Sequence, residues 1–252
     1  MSMLRKGWWG IKKSLMRLSG SYAHTGERVS PEIPDENFQA HLQVYQFMAQ
    51  FVKGKTVLDV GCGTGYGANY LLEQGAGSVW GVDHAGDAIA YAKKHYTDPR
   101  ISFREMNAEV LSLPNDSFDV VTSSENLEHL KNPSKCIAEI KRVLKRKGLL
   151  VLGTPNKELS SPGAEKSGNP FHEKEFTFEE LDSLLRKHFR SVFIFENTLQ
   201  SPHREGRKMK EERGKRGKTG MEPGDRKNIR VGHIQVDLTH LKNTHSFMVI
   251  AW

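Results

Sequence analysis

The sequence predicts an α/β domain built on a mainly parallel sheet with helices on both faces. Three observations carry that expectation. Short β-branched runs alternate with helical segments from Thr56 to Gly153, the pattern of successive strand–helix–strand units. The first such run, Thr56–Val60, passes directly into the glycine-dense turn Gly61-Cys62-Gly63-Thr64-Gly65-Tyr66-Gly67. The second run ends on Asp83, 18 positions beyond Gly65, where an acidic side chain can accept hydrogen bonds from a ribose diol.

Whole-chain properties set the frame. The 252 residues suit one large domain with extensions. No apolar run approaches the ~20 residues of a membrane span. Cys62 and Cys136 are the only cysteines, so there is no disulfide framework and no cysteine-based zinc spacing. A reducing, cytoplasmic setting and no metal are expected. The net charge of +7 raises nucleic acid as a partner, a hint weakened by where the charge lies.

Taken in order, residues 1–35 read as a basic extension and lid segment. Met1 to Ala23 holds Arg5, Lys6, Lys12, Lys13 and Arg17 and no acidic residue, with Leu4, Trp8, Ile11, Leu15 and Leu18 at helical spacing. Such a helix can pack its tryptophans on the domain or lie peripherally on an anionic membrane surface. The domain proper is placed at residues 36–252. A helix is expected over Phe38–Val52, with Leu42, Tyr45, Phe47, Met48 and Phe51 facing a sheet. Thr56–Val60, Ser78–Asp83, Ile101–Met106, Ser117–Ser123 and Leu149–Gly153 read as strands. Ala68–Gln74, Asp87–His95 and a segment from Pro133 closed by Lys145-Arg146-Lys147-Gly148 read as the helices between them. Thr177 followed by Glu180 is a capping box for a helix over Phe178–His188. Ser191–Asn197 is a sixth strand and His245–Trp252 a last one.

The composition changes near the end. Arg204 to Arg230 carries eleven Lys/Arg against five Asp/Glu, an excess of six, with five glycines and no Phe, Trp or Tyr. It cannot bury enough to fold alone, so residues 203–230 are expected to be a disordered basic insertion. A solvated loop is the expected state. No aromatic residue is interleaved to stack on bases, which disfavours a nucleic-acid role.

The chemistry centres on Val57-Leu58-Asp59-Val60 and the turn after it. Gly61, Gly63 and Gly65 let the backbone turn tightly and let a ligand approach, at a helix N-terminus rich in free N–H groups. A dinucleotide fingerprint counted from Gly61 meets Tyr66 where its third glycine belongs. Counted from Gly63 it ends on Ala68, which is allowed, but that frame leaves Asp59 unexplained. The run D-V-G-C-G-T-G instead resembles motif I of class I S-adenosylmethionine (SAM) methyltransferases. Further segments agree in order. His24-Thr25-Gly26-Glu27-Arg28 and His41-Leu42-Gln43-Val44-Tyr45 resemble a T-G-E-R segment and an H-L-x-x-Y helix of bacterial members. Asn107-Ala108-Glu109 with Leu113-Pro114 resembles D-A-x-x-L-P, with Asn in place of Asp. Phe118-Asp119-Val120-Val121 and Glu128-His129-Leu130 resemble the F-D-x-V…E-H-L of the methyltransferase type 11 group. Asn169-Pro170-Phe171-His172 resembles its N-P-x-H segment. The resemblance covers about Gly20 to Leu199 and the last strand.

That resemblance implies a Rossmann-like fold with a seven-stranded sheet, its last strand antiparallel, and S-adenosyl-L-methionine as cofactor. It places Asp59, Gly61, Cys62, Gly63 and Gly65 at the amino-acid end of the cofactor and Asp83 at the ribose. His84, Asn107 and Ala108 fall at the adenine, and Ser124 near the methyl donor. Arg28, His41, Glu125, Asn126 and Asn156 are candidate acceptor-binding residues. His172 and His129 are candidate general bases, since imidazole titrates near neutrality. For His129 the alternative is that the Glu128-His129 pair only fixes its loop. The expected function is methyl transfer to a small-molecule or glycan acceptor on oxygen. Quinone-type C-methylation is a variant of it. An RNA or protein methyltransferase anchored by the basic insertion is a second reading, and a non-catalytic SAM-binding protein a third. The absence of [DN]-P-P-[FY] at Ser124-Glu125-Asn126-Leu127 speaks against DNA bases and glutamine as acceptors.

Overall fold

The computed structural model describes residue 29 and residues 36–195, 228–231, 234–237 and 246–252. The basic extension up to and including Arg28, and residues 203–227 of the basic insertion, lie outside the described residues. The elements run α1 (Glu36–Ala49), β1 (Thr56–Val60), α2 (Tyr66–Glu73), β2 (Ser78–Asp83), α3 (Gly86–His95), β3 (Ile101–Glu105) and β4 (Phe118–Ser124). They continue with α4 (Pro133–Val143), β5 (Leu144–Pro155), the one-turn α5 (Lys157–Ser160), α6 (Phe178–Arg186), β6 (Val192–Phe195), β7 (Asn228–Val231), β8 (Ile234–Asp237) and β9 (Ser246–Ala251).

Seven strands form one sheet in the order β3-β2-β1-β4-β5-β9-β6. The pairs from β3 to β5 are parallel, and β9 is antiparallel to both β5 and β6. The chain moves outward from β1 to β3 and then returns to the other side of β1 for β4. This reversal makes a crevice outside the carboxyl ends of β1 and β4, where open α/β sheets bind ligands.

The two-residue period of the strands explains the two-sided core. Val57, Val151, Met248 and Ile250 point to a cluster with Phe47, Met48 and Leu71 of α1 and α2. Leu58, Leu150, Leu152, Phe247 and Val249 point the other way, to Ile137, Ile140, Leu181 and Leu185 of α4 and α6. Each such fully buried aliphatic side chain contributes about 1.5–3 kcal/mol. Strand β9, wedged between β5 and β6, is buried at all six positions, which accounts for its unbroken apolar run Phe247-Met248-Val249-Ile250-Ala251.

Expected and observed elements differ most in two places. Helix α4 ends at Val143, not within the basic run Lys145-Arg146-Lys147-Gly148. That run opens β5, where Leu144 pairs with Phe118 and the register then shifts. Lys145 reaches Asp119 at 2.9 Å, so cross-strand pairing claims a charge that helix capping was expected to use. The second difference is the two-stranded β7–β8 hairpin, whose first strand takes in Asn228, Ile229 and Arg230. Its signal is in the sequence: Ile229-Arg230-Val231 and Ile234-Gln235-Val236 flank Gly232-His233, the spacing of a two-residue hairpin turn. Val236 is buried with the α1–α2 core cluster.

Candidate active site

The glycine turn joins β1 to α2, and its backbone explains its composition. Gly61, Gly63 and Gly65 have φ of 78°, 53° and 83°, a region that costs other residues about 1–2 kcal/mol each. A Cβ on Gly61 would lie 2.4 Å from Cγ of Asn126, whereas one on Gly63 would meet nothing within 4 Å. The turn is thus packed at one glycine and open at the other. Gly61 and Cys62 donate their N–H groups to the carbonyl of Val82, tying the turn to the end of β2. The Cys62 side chain is buried, which pushes its thiol up, and its backbone N–H and carbonyl are both used within the turn and strand end.

Asp83 sits at that strand end. Its Oδ2 accepts the Gly63 N–H at 2.8 Å and its Oδ1 the Ala85 N–H at 2.9 Å. Each oxygen keeps a further lone pair, and the carboxylate remains partly accessible. His84 beside it is exposed, with Nδ1 3.5 Å from Asp83 Oδ1. Asn107, also exposed, uses Oδ1 to accept the Glu109 N–H at 2.8 Å, and Ala108 is buried beside it. These residues lie at or just after the carboxyl ends of β2 and β3.

Asp59 lies deeper. The parallel register places it opposite Thr122 of β4, whose hydroxyl donates to Oδ1 at 2.7 Å. The Tyr45 hydroxyl donates to Oδ2 at 3.0 Å. The carboxylate is fully buried, and burial raises its pKa to about 6 against the lowering effect of those two hydrogen bonds. Asp59 is therefore sealed beneath the turn and supports it. Tyr45 and Thr122 were not singled out from sequence as site residues, because their roles arise from helix docking and strand register. His41 is half-buried on α1, one turn before Tyr45 on the same face. The segment before α1 touches the turn at one described point, where Thr64 Oγ1 donates to the Val29 carbonyl at 3.4 Å.

Across the crevice, β4 delivers Ser124, Glu125 and Asn126. The Ser124 hydroxyl is buried and has no hydrogen-bond partner. Glu125 adopts φ 47°, a strained backbone state of the kind that clusters at functional sites. Its carboxylate accepts the Ser246 hydroxyl at 2.7 Å, and burial raises its pKa to about 7. Asn126 donates to Ser123 at 3.2 Å and packs against Gly61, so the two sides of the crevice meet there. Asn156 is buried and caps α5, accepting the Glu158 N–H at 3.0 Å. This occupies the side chain with local structure.

The two candidate bases, 43 positions apart, come together. The His129 and His172 rings stand edge to face with centroids 4.9 Å apart. His129 Nδ1 lies 3.1 Å from the Phe171 carbonyl oxygen. His172 Nδ1 lies 2.7 Å from Glu175 Oε1, and its Nε2 lies 2.9 Å from the Asn169 side-chain amide nitrogen. Burial opposes ionisation of Glu175, yet hydrogen bonds from Ser167, Ser160, His172 and Ser161 outweigh it and hold the carboxyl down to about 2. Glu175 is a partner that sequence reading missed, although its i, i+3 spacing from His172 was visible. Glu128 is fully buried, with Oε2 accepting the Thr154 hydroxyl at 2.9 Å. Its backbone carbonyl receives the Glu173 and Lys174 N–H groups, which docks the N-P-x-H segment onto the end of β4. The Glu128-His129 pair thus does fix its loop, and it also contributes side chains to a shared cluster.

The arrangement fits a nucleoside-bearing, zwitterionic ligand. An open glycine turn, a partly accessible carboxylate at the end of β2 and an unpartnered buried hydroxyl at the end of β4 suit such a group. Comparison with known proteins agrees. Residues 58–152 match the model of a family described as a methyltransferase domain. A Mycolicibacterium smegmatis protein described as a probable S-adenosylmethionine-dependent methyltransferase is 38% identical over 184 residues, 72% of this chain and 69% of that protein. A Mycobacterium tuberculosis H37Rv protein of the same description is 40% identical over 163 residues, 64% of this chain; the chain spans 58% of that relative's length. A ubiquinone biosynthesis O-methyltransferase of Hydrogenovibrio crunogenus is 30% identical over 56% of this chain and 65% of its own length. Among solved structures, a SAM-dependent methyltransferase of Thermotoga maritima superposes with a TM-score of 0.57 over 85% of this chain and 89% of that one, at 17% identity. That last likeness is one of fold. Among the described residues no helix is long and apolar enough to cross a membrane.

Proposed function

Because the chain belongs to the S-adenosylmethionine-dependent methyltransferases, whose cofactor is S-adenosylmethionine, we propose that it methylates a small-molecule or glycan acceptor on oxygen. The observation that carries this reading is the contact between the two halves of the crevice. Asn126 of the β4 end packs on Gly61 of the turn, so groups suited to the cofactor border groups suited to a hydroxylated acceptor. The cofactor, when bound, supplies a methyl group activated by a positively charged sulfur.

The chain's own residues would then do the following. Asp83 would accept the ribose hydroxyls, and the Gly61–Gly65 turn would take the amino-acid end over the buried Asp59. Asn107 and the Ala108 N–H would meet the adenine edge. With the methyl donor already activated, positioning is the main task, and Ser124, Glu125 and Asn126 border the place where donor and acceptor meet. An acceptor hydroxyl must also lose its proton. His172, with a carboxylate behind one ring nitrogen, has the form of an oriented base. The name of the Hydrogenovibrio relative, an O-methyltransferase, supports oxygen as the accepting atom.

Titration calorimetry with SAM and S-adenosylhomocysteine, beside an Asp83→Ala variant, tests the cofactor half. The variant should bind roughly 30- to 1000-fold more weakly, since about 2–4 kcal/mol of charge-assisted hydrogen bonding is lost. Release of S-adenosylhomocysteine in a screen of hydroxylated glycans and phenols tests the acceptor half. Failure of the wild-type protein to bind either ligand would overturn the proposal.

A further inference from the structure

We propose that Glu128, His129 and His172 form a binding site for one divalent transition-metal ion at the acceptor end of the crevice. One ligand atom from each lies within 4.8 Å of the other two. Glu128 Oε1 and His129 Nε2 are 3.7 Å apart, close to the ~3.4 Å between neighbouring ligands of a tetrahedral centre with bonds of about 2.1 Å. Drawing in the third ligand takes a shift of roughly an ångström, within reach of a turning imidazole.

An independent observation points to an occupant. Glu128 is completely buried, yet its Oε1 has no hydrogen-bond partner. Leaving a buried carboxylate oxygen unmatched costs several kcal/mol. Burial, with the charge of Glu125 added to it, drives the Glu128 carboxyl well above its ordinary range. A cation beside Oε1 removes both costs.

The surroundings are those of a metal site as well. Metal-bound histidines commonly give their second ring N–H to a carboxylate or carbonyl, and ligating carboxylates are themselves hydrogen-bonded. Here the Phe171 carbonyl lies at His129 Nδ1, the Glu175 carboxylate at His172 Nδ1, and the Thr154 hydroxyl on Glu128 Oε2. Asn169 fits the same tautomer of His172. Its Oδ1 accepts the Phe171 N–H, so its amide nitrogen donates to the lone pair of His172 Nε2, and a cation takes that lone pair once the Asn169 amide turns aside. Both rings therefore keep Nε2 as the basic nitrogen.

One carboxylate with two imidazoles is a donor set for zinc, iron(II), cobalt(II) or manganese(II) rather than for magnesium or calcium, which prefer oxygen. Three protein ligands leave a position for an oxygen of the acceptor. In this form the histidines hold the cation instead of taking a proton. The cation acidifies the bound hydroxyl, and its proton leaves to solvent. The catalytic role rests on the O-methylation reading; the binding does not.

The test uses the full-length protein, stripped with a chelator and dialysed. Zinc is titrated by calorimetry and cobalt(II) by its visible absorption. One equivalent should bind at micromolar concentration or below. Glu128→Gln, His129→Gln and His172→Gln should each weaken binding more than about 100-fold, and Glu175→Gln by ~10–100-fold as an outer partner. His95→Gln, on the exposed surface of α3, should change nothing. Circular dichroism and S-adenosylhomocysteine calorimetry on each variant separate loss of metal from loss of fold. If Glu128→Gln unfolds, the part-exposed His129 decides. No stoichiometric binding at millimolar metal, or binding indifferent to these substitutions, would overturn the assignment. Metal binding without S-adenosylhomocysteine binding would sink the methyltransferase reading and leave the metal site standing.

Discussion

Gly61 and Gly63 show how one residue type does two jobs within three positions. Both need a positive φ, but only Gly61 is packed against a neighbour, Asn126. Gly61→Ala should therefore cost about 2–4 kcal/mol through backbone strain and overpacking. Gly63→Ala should cost only about 1–2 kcal/mol, because its methyl group would enter open space. Ligand binding should reverse that order of severity. The Gly63 methyl would sit on the open side of the turn, and S-adenosylhomocysteine affinity should fall further than stability does. Thermal melts and calorimetry on both variants measure this. A Gly63→Ala protein that binds as well as wild type would show that the cofactor does not approach that face. The glycines themselves were legible as a tight turn between a strand and a helix. Which of them is packed was not, because that depends on where β4 brings Asn126.

At the scale of elements, α6 illustrates a local rule that tertiary structure leaves intact. The Thr177 hydroxyl accepts the Glu180 N–H at 3.3 Å, and the Glu180 carboxylate accepts the Thr177 N–H at 3.0 Å. Thr177→Ala should lower stability by about 1 kcal/mol, or roughly 2–4 °C in a chain of this size. A loss below half a degree in a thermal melt would show that packing of Leu181 and Leu185 alone holds the helix. The end of α4 is the opposite case. Lys145, Arg146 and Lys147 have the composition of a helix C-terminus, yet pairing of Leu144 with Phe118 and the ion pair of Lys145 with Asp119 draw them into β5. Partners 26 positions away outweighed a local preference worth only tenths of a kcal/mol.

Asp59 makes its effect felt on the whole molecule. Its folded pKa of about 6 lies above its ordinary value of 3.8, so between those values the folded protein binds more protons than the unfolded chain. Stability from this group is complete below pH ~4 and falls as pH rises to about 6, by on the order of 3 kcal/mol. Denaturant titrations from pH 4 to pH 7 should show that downward segment in the wild type and lose it in Asp59→Asn. An unchanged slope in the variant would assign the pH dependence to other groups. What the sequence determined by itself was the alternation of strands and helices, the glycine turn, the acidic ends of β1 and β2 and the cap of α6. All of these rest on interactions spanning a few residues, which period and residue type record directly. Tertiary structure alone decided that Tyr45 and Thr122 close over Asp59, that Asn126 seats on Gly61, and that His129 and His172 meet over an unmatched oxygen of Glu128. Those contacts join segments far apart in the chain, and their geometry exists only once strand register and helix docking have set the distances.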